Sequence, residues 1–201
     1  MKKKVEVALV ALSLLGILIE VMSHMFGDTF SFFRGIGLIR YYTIQSNSIV
    51  FGYFLLGFFE KYKSHPLYKK MLPGVVIYIA ITFMVFALML QGTFEITGIR
   101  IVGNYLVHYI VPIVAIVYLF VYGENQYTYK DISTWIIYPL LYIVFMLIYG
   151  AITSDYLYPF FDLNVISVWV LIITIIILVL LFMLLSFIVV KILSKKELTN
   201  N

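Results

Sequence analysis

Apolar residues occur in this chain mostly as long runs rather than in alternating patterns. Six runs, at 5–25, 42–60, 71–91, 104–122, 135–152 and 165–191, are separated by short polar connections that carry most of the charge. A hydrocarbon core of ~30 Å takes about 20 apolar residues in helical form. A helix also satisfies its own backbone hydrogen bonds where no water is present. The pattern predicts an all-α polytopic membrane protein, with six transmembrane helices forming a single domain over residues 1–201. None of the connections is long enough for a separate soluble domain. The first run follows Met1-Lys2-Lys3-Lys4, as a signal peptide would, but no small-x-small cleavage site follows it. A retained anchor helix is the expectation.

Composition supports this class. The chain is 63% hydrophobic and only 12% charged, whereas a soluble domain carries roughly twice that charged fraction. The basic residues are distributed unevenly. Lys2, Lys3, Lys4, Lys61, Lys63, Lys69, Lys70, Lys130, Lys191, Lys195 and Lys196 fall at one set of alternating helix ends, and only Arg34, Arg40 and Arg100 at the other. The positive-inside rule then predicts cytoplasmic termini and a multi-pass protein of the cell membrane. The net charge of +4 follows from this bias and from anionic lipid at the inner surface. It gives no sign of nucleic acid as a partner, because no basic soluble surface exists to carry one. With no cysteine, disulfides and thiolate chemistry are excluded.

The polar residues inside the runs gather near the predicted outer ends. They are Glu20 in the first helix, Thr43, Ser46 and Asn47 in the second, and Asn104 and His108 in the fourth. At ~1.5 Å per residue, Glu20, Thr43 and His108 share a depth of roughly 5–8 Å below the outer interface. At ~100° per residue, Thr43, Ser46, Asn47, Val50 and Phe54 lie on one face of the second helix, and Asn104, His108 and Pro112 on one face of the fourth. Gln45 points elsewhere and is expected to bond a neighbouring helix. Tyr138, Tyr142, Tyr149 and Thr153 make a third stripe, in the fifth helix. Pro112 and Pro139 are positioned to kink their helices and free backbone carbonyls toward the interior.

This set fits ester hydrolysis, which needs a nucleophile, a base and donors for an oxyanion. Thr43 supplies a hydroxyl and His108 an imidazole. Asn47 or Asn104 would stabilise the oxyanion or orient the ring. Ser46 and Glu20 are supporting polar groups, with Glu20 a candidate for the acid of a triad. A lipid ester would enter from the outer leaflet, its acyl chain along Phe54, Tyr142, Phe145 and Tyr149. A metal site made from Glu20, His24 and His108 is the weaker reading, since no ligand-spacing motif supports it. No metal or cofactor is expected. Each residue also has a plainer use. Ser, Thr and Asn serve interhelical hydrogen bonds, a neutral histidine can be satisfied by a carbonyl, and tyrosines belong to interfacial belts. On that view the chain is a non-catalytic carrier of lipid or another small molecule, or an assembly partner, with Thr43 and His108 far apart.

Three stretches in order add a resemblance: YYTIQSN at 41–47, NYLVHYIVP at 104–112, and YPLLYIVFMLIYGAIT at 138–153 followed by YPFFD at 158–162. Together they resemble the bacterial six-transmembrane branch of the androgen-induced and androgen-dependent TFPI-regulating membrane proteins, from about residue 30 to the last helix. The resemblance implies an intramembrane threonine hydrolase that cleaves fatty acid esters of hydroxy fatty acids. It assigns Thr43 as nucleophile, His108 as base and Asn104 as its companion. The QSN after Thr43 departs from the eukaryotic pattern, which is closer to a single Asn in that turn.

Overall fold

The computed structural model describes residues 1–27, 29–93 and 95–195. Lys196, one of the basic residues assigned to the inner side, lies outside the described residues. The described residues are helical and contain no strand, with an isolated bridge between Phe26 and Phe30. Five helical stretches are long and apolar enough to cross a membrane: Lys2–Met25, Pro66–Leu90, Arg100–Tyr122, Tyr129–Thr153 and Val168–Lys195. The chain divides into two compact units, Met1–Glu124 and Asn125–Asn201.

In the first unit, α1 (Lys2–Met25) leads through the short α2 (Phe32–Ile36) and a 3-10 turn, Gly37–Arg40, into α3 (Tyr42–Leu56). The single turn α4 (Glu60–Lys63) precedes α5 (Pro66–Val85), which ends in a π-helical turn, Phe86–Leu90. The next helix is also composite: α6 (Arg100–Tyr105), a π turn at Leu106–Ile110, then α7 (Val111–Tyr122). Helix α1 packs on α3, α3 on α5, α5 on α7, and α7 on α1, which closes a ring of four long helices. The middle of α5 is buried on every side, from Leu72 to Ala80, as expected of a helix that is apolar all round.

Helix α3 is the element that departs from the expected spans. It has 15 residues, about 22 Å at 1.5 Å per residue, short of a ~30 Å core. At its start the chain is still in the 3-10 turn through Arg40, and its end is Gly57. Of its predicted inward face, Ser46, Asn47, Val50 and Phe54 are buried, together with Ile44, and Thr43 is half-buried. Gln45 was expected to bond a neighbouring helix, and one bond of its amide nitrogen is local instead. Its Nε2 donates to the Ile39 carbonyl at 2.9 Å, so the side chain ties α3 to the turn that precedes it.

Close approach of α1 to the α6–α7 segment depends on two glycines. A Cβ at Gly16 would lie 2.8 Å from Val107 Cγ1, and one at Gly103 would lie 2.6 Å from Glu20 Oε1. Small residues at such crossings allow helix backbones to come together in a membrane.

The second unit begins with a turn at Tyr129–Asp131, stabilised by a reciprocal cap between Thr128 and Asp131, which satisfies donors the helix start would leave open. The short α8 (Ile132–Trp135) continues into α9 (Ile137–Thr153). Ser154, with φ 56°, ends α9 in the left-handed region. A loop with a 3-10 turn at Pro159–Phe161 leads to α10 (Val168–Lys195). The Tyr129 and Phe187 rings, 5.4 Å apart, tie α10 back to the start of this unit.

Candidate active site

The site in the first unit is built on two helices that break regular α geometry. In the π turn, the Val111 N–H bonds to the Leu106 carbonyl, five residues back. In that register the Val107 carbonyl would next receive the N–H of residue 112, but Pro112 has none. The open acceptor is filled from another helix: Asn47 Nδ2 on α3 donates to the Val107 carbonyl at 3.0 Å. The same nitrogen donates to the Thr43 carbonyl at 2.8 Å. Asn47 thus ties the turn that carries Thr43 to the turn that carries His108. Its nitrogen faces two carbonyls, which fixes the amide orientation. The carbonyl that Pro112 was expected to free is put to use here.

Thr43 Oγ1 lies 3.2 Å from His108 Nε2. The other ring nitrogen, Nδ1, lies 3.1 Å from the Asn104 carbonyl oxygen. A carbonyl only accepts, so Nδ1 carries the proton, and in the neutral ring the Nε2 lone pair faces the Thr43 hydroxyl. That is the tautomer a base needs to take the hydroxyl proton. The imidazole also stacks on Phe86, with centroids 3.8 Å apart and 18° between planes. Phe86 belongs to the π turn that ends α5 and is itself buried. The ring is therefore fixed by a hydrogen bond at its Nδ1 edge and by an aromatic face. Thr43 and His108 both keep partial exposure.

The supporting residues take distinct roles. Ser46 Oγ pairs with Thr82 Oγ1 at 2.7 Å, in the core, and donates to the Thr43 carbonyl at 3.1 Å. Asn47 is fully buried with its nitrogen committed to carbonyls, while its Oδ1, an acceptor, has no partner among the described residues. It orients the site and does not supply an oxyanion donor. Asn104 acts on His108 through its backbone carbonyl. Its side-chain amide, half-buried, makes no hydrogen bond with a described residue.

Glu20 is not the third member of a triad, because His108 Nδ1 is held by Asn104. Glu20 lies against Gly103 instead, with Oε2 4.0 Å from His24 Nδ1. His24 points its Nε2 toward Arg100, 3.3 Å away, and so does not join His108. Among the described residues no three His, Cys, Asp or Glu side chains converge on a position that could hold a metal. Phe54 is 2% exposed and packs edge-on against Tyr118, with centroids 4.9 Å apart.

The remaining aromatic candidates belong to the second unit. Tyr142 is buried, Phe145 is 41% exposed, and Tyr149 donates its hydroxyl proton to Asp155 Oδ2 at 3.3 Å. Sequence reasoning did not single out Phe86 or Thr82. Both sit in an apolar run, and neither carries a periodic or motif signal there. Comparison with family models, with curated proteins and with solved structures finds no match for this chain.

Proposed function

We propose that the chain is an intramembrane lipid esterase that uses Thr43 as nucleophile and His108 as general base. The observation that carries this reading is the 3.2 Å approach of Thr43 Oγ1 to a histidine nitrogen whose tautomer is set from the other side by the Asn104 carbonyl. A nucleophile, a base and a group that orients the base form the constellation that activates a hydroxyl. Here a backbone carbonyl takes the orienting place of a carboxylate. The 3.2 Å approach favours this reading over a carrier, for which Thr43 and His108 were expected to stand apart.

The chemistry is acyl transfer to Thr43 followed by hydrolysis. Thr43 Oγ1 attacks the ester carbonyl carbon while its proton passes to His108 Nε2. The Asn104 side-chain amide, which no described residue engages, donates to the developing oxyanion. Collapse breaks the ester C–O bond, and His108 returns the proton to the leaving alcohol. Water then attacks the acyl-threonine with His108 again as base, and the carboxylic acid and Thr43 hydroxyl are released. No other group is needed to balance these steps.

The substrate is a lipid ester, taken from the outer leaflet of the cell membrane, in a multi-pass protein with cytoplasmic termini. The three ordered stretches that resemble the androgen-induced and androgen-dependent TFPI-regulating proteins make fatty acid esters of hydroxy fatty acids the first substrates to try. Activity-based labelling of the detergent-solubilised protein with a fluorophosphonate tests the reading. Thr43→Ala and His108→Ala are expected to abolish both labelling and ester hydrolysis, while Thr43→Ser keeps both. Undiminished labelling of the two alanine variants would overturn it.

A further inference from the structure

A second polar cluster lies on the same helical path as His108, eight residues earlier. Arg100 opens α6, and one guanidinium nitrogen reaches His24 Nε2 at 3.3 Å. His24 Nδ1 donates to the Glu20 carbonyl at 2.8 Å, so its Nε2 is an acceptor and takes a guanidinium proton. This bond uses one of five guanidinium donors. Among the described residues Arg100 Nε is buried without a partner, and no carboxylate lies within 4.0 Å of the guanidinium. Glu20 is the acidic side chain facing it from α1. Its carboxylate sits instead over the bare Cα of Gly103. Arg34 adds a second positive charge that bears on His24.

The Glu20 carboxylate bears on Arg100 only from a distance, and a buried guanidinium N–H without an acceptor is a costly arrangement that a closely bound oxyanion would relieve. We propose that Arg100, aimed by His24, is a binding subsite for the anionic head of a lipid chain, a carboxylate or a phosphate. Eight residues at ~1.5 Å set it roughly 12 Å along the helix from His108. On the esterase reading above, this spacing decides which ester along a charged chain reaches Thr43. Arg100 is then a specificity residue that takes no part in the chemistry. Glu20 opposes the ligand, because its charge lies on the same side as the incoming anion.

Native mass spectrometry of the full chain in neutral detergent tests this without any need for hydrolysis, using equal concentrations of oleate, oleyl phosphate and methyl oleate. One or both anions are expected to bind about tenfold more than methyl oleate, a difference of ~1.4 kcal/mol. The better of the two identifies the head group as carboxylate or phosphate. Arg100→Gln is expected to remove the preference while keeping residual methyl oleate binding, which reports that the chain is folded. Glu20→Gln is expected to raise anion binding several-fold. Binding is read without turnover, so loss of the esterase assignment and loss of the subsite are read separately. Equal binding of anions and methyl oleate overturns the proposal, as does a preference that survives Arg100→Gln. Loss of the preference in Glu20→Gln does the same, since it would mark Glu20 and Arg100 as a structural charge pair.

Discussion

Asn47 connects the two halves of the candidate site through a single nitrogen, so its contribution can be separated from that of Thr43 and His108. Asn47→Ala leaves the Val107 carbonyl buried and without its donor, a loss of about 1–3 kcal/mol. Pro112→Ala supplies the N–H that the proline lacks and offers the same carbonyl a bond within its own helix. The cost of Asn47→Ala should therefore be smaller in the Pro112→Ala background, with a coupling of roughly 0.5 kcal/mol or more in a double-mutant cycle. Chemical unfolding of the four proteins in mixed micelles measures it. Strict additivity would show that Asn47 does not serve the carbonyl left open by Pro112.

At the level of elements, the geometry of the site depends on how closely α1 approaches the α6–α7 segment. Gly16 faces Val107 Cγ1 and Leu106 Cβ, and its own Cβ would sit 2.8 Å and 3.1 Å from them. Val107 contributes the carbonyl that Asn47 holds, and His108 is its neighbour. Gly16→Val is expected to push this turn away from α1, lowering both thermal stability and hydrolysis. Gly52, in α3, has nothing within 4 Å of its would-be Cβ. Gly52→Ala should raise stability by about 0.5–1 kcal/mol through the backbone entropy of the unfolded chain, with hydrolysis unchanged. Equal effects of the two substitutions on activity would remove the assigned role of the Gly16 contact.

For the whole molecule, the open quantity is orientation. The native chain lacks cysteine, so single cysteines can be read without background. Lys63→Cys, in α4, and Thr97→Cys, just before α6, flank the apolar stretch Pro66–Leu90. With cytoplasmic termini, a membrane-impermeant maleimide should label Thr97→Cys in intact cells and Lys63→Cys only after lysis. The reverse pattern would reverse the direction of the Pro66–Leu90 stretch and place the Thr43–His108 pair toward the inner leaflet. The shortness of α3 matters at this scale too. With 15 residues it reaches about 22 Å, and Thr43 lies in its first turn.

The sequence by itself determined the all-helical class and the long apolar stretches fit to cross a membrane, because hydrocarbon admits no unsatisfied backbone and a helix satisfies its own. It also determined which face of α3 is buried, because helical periodicity is a local property and the polar residues there had to turn away from lipid. Thr43 and His108 were legible as candidates for the same reason: ionisable and hydroxyl groups stand out in an aliphatic run. Tertiary structure decided the partners. A backbone carbonyl, that of Asn104, holds the imidazole where Glu20 was a candidate, and no sequence pattern marks a carbonyl as free. Phe86 became part of the site because a π turn brought its ring onto His108, and an aromatic side chain in an apolar run carries no signal of its own. Asn47 changed from a candidate oxyanion donor to a tie between helices, because both acceptors of its nitrogen are backbone atoms, one of them sixty residues away in the chain. Long-range contacts of this kind depend on how helices cross, which local periodicity does not contain.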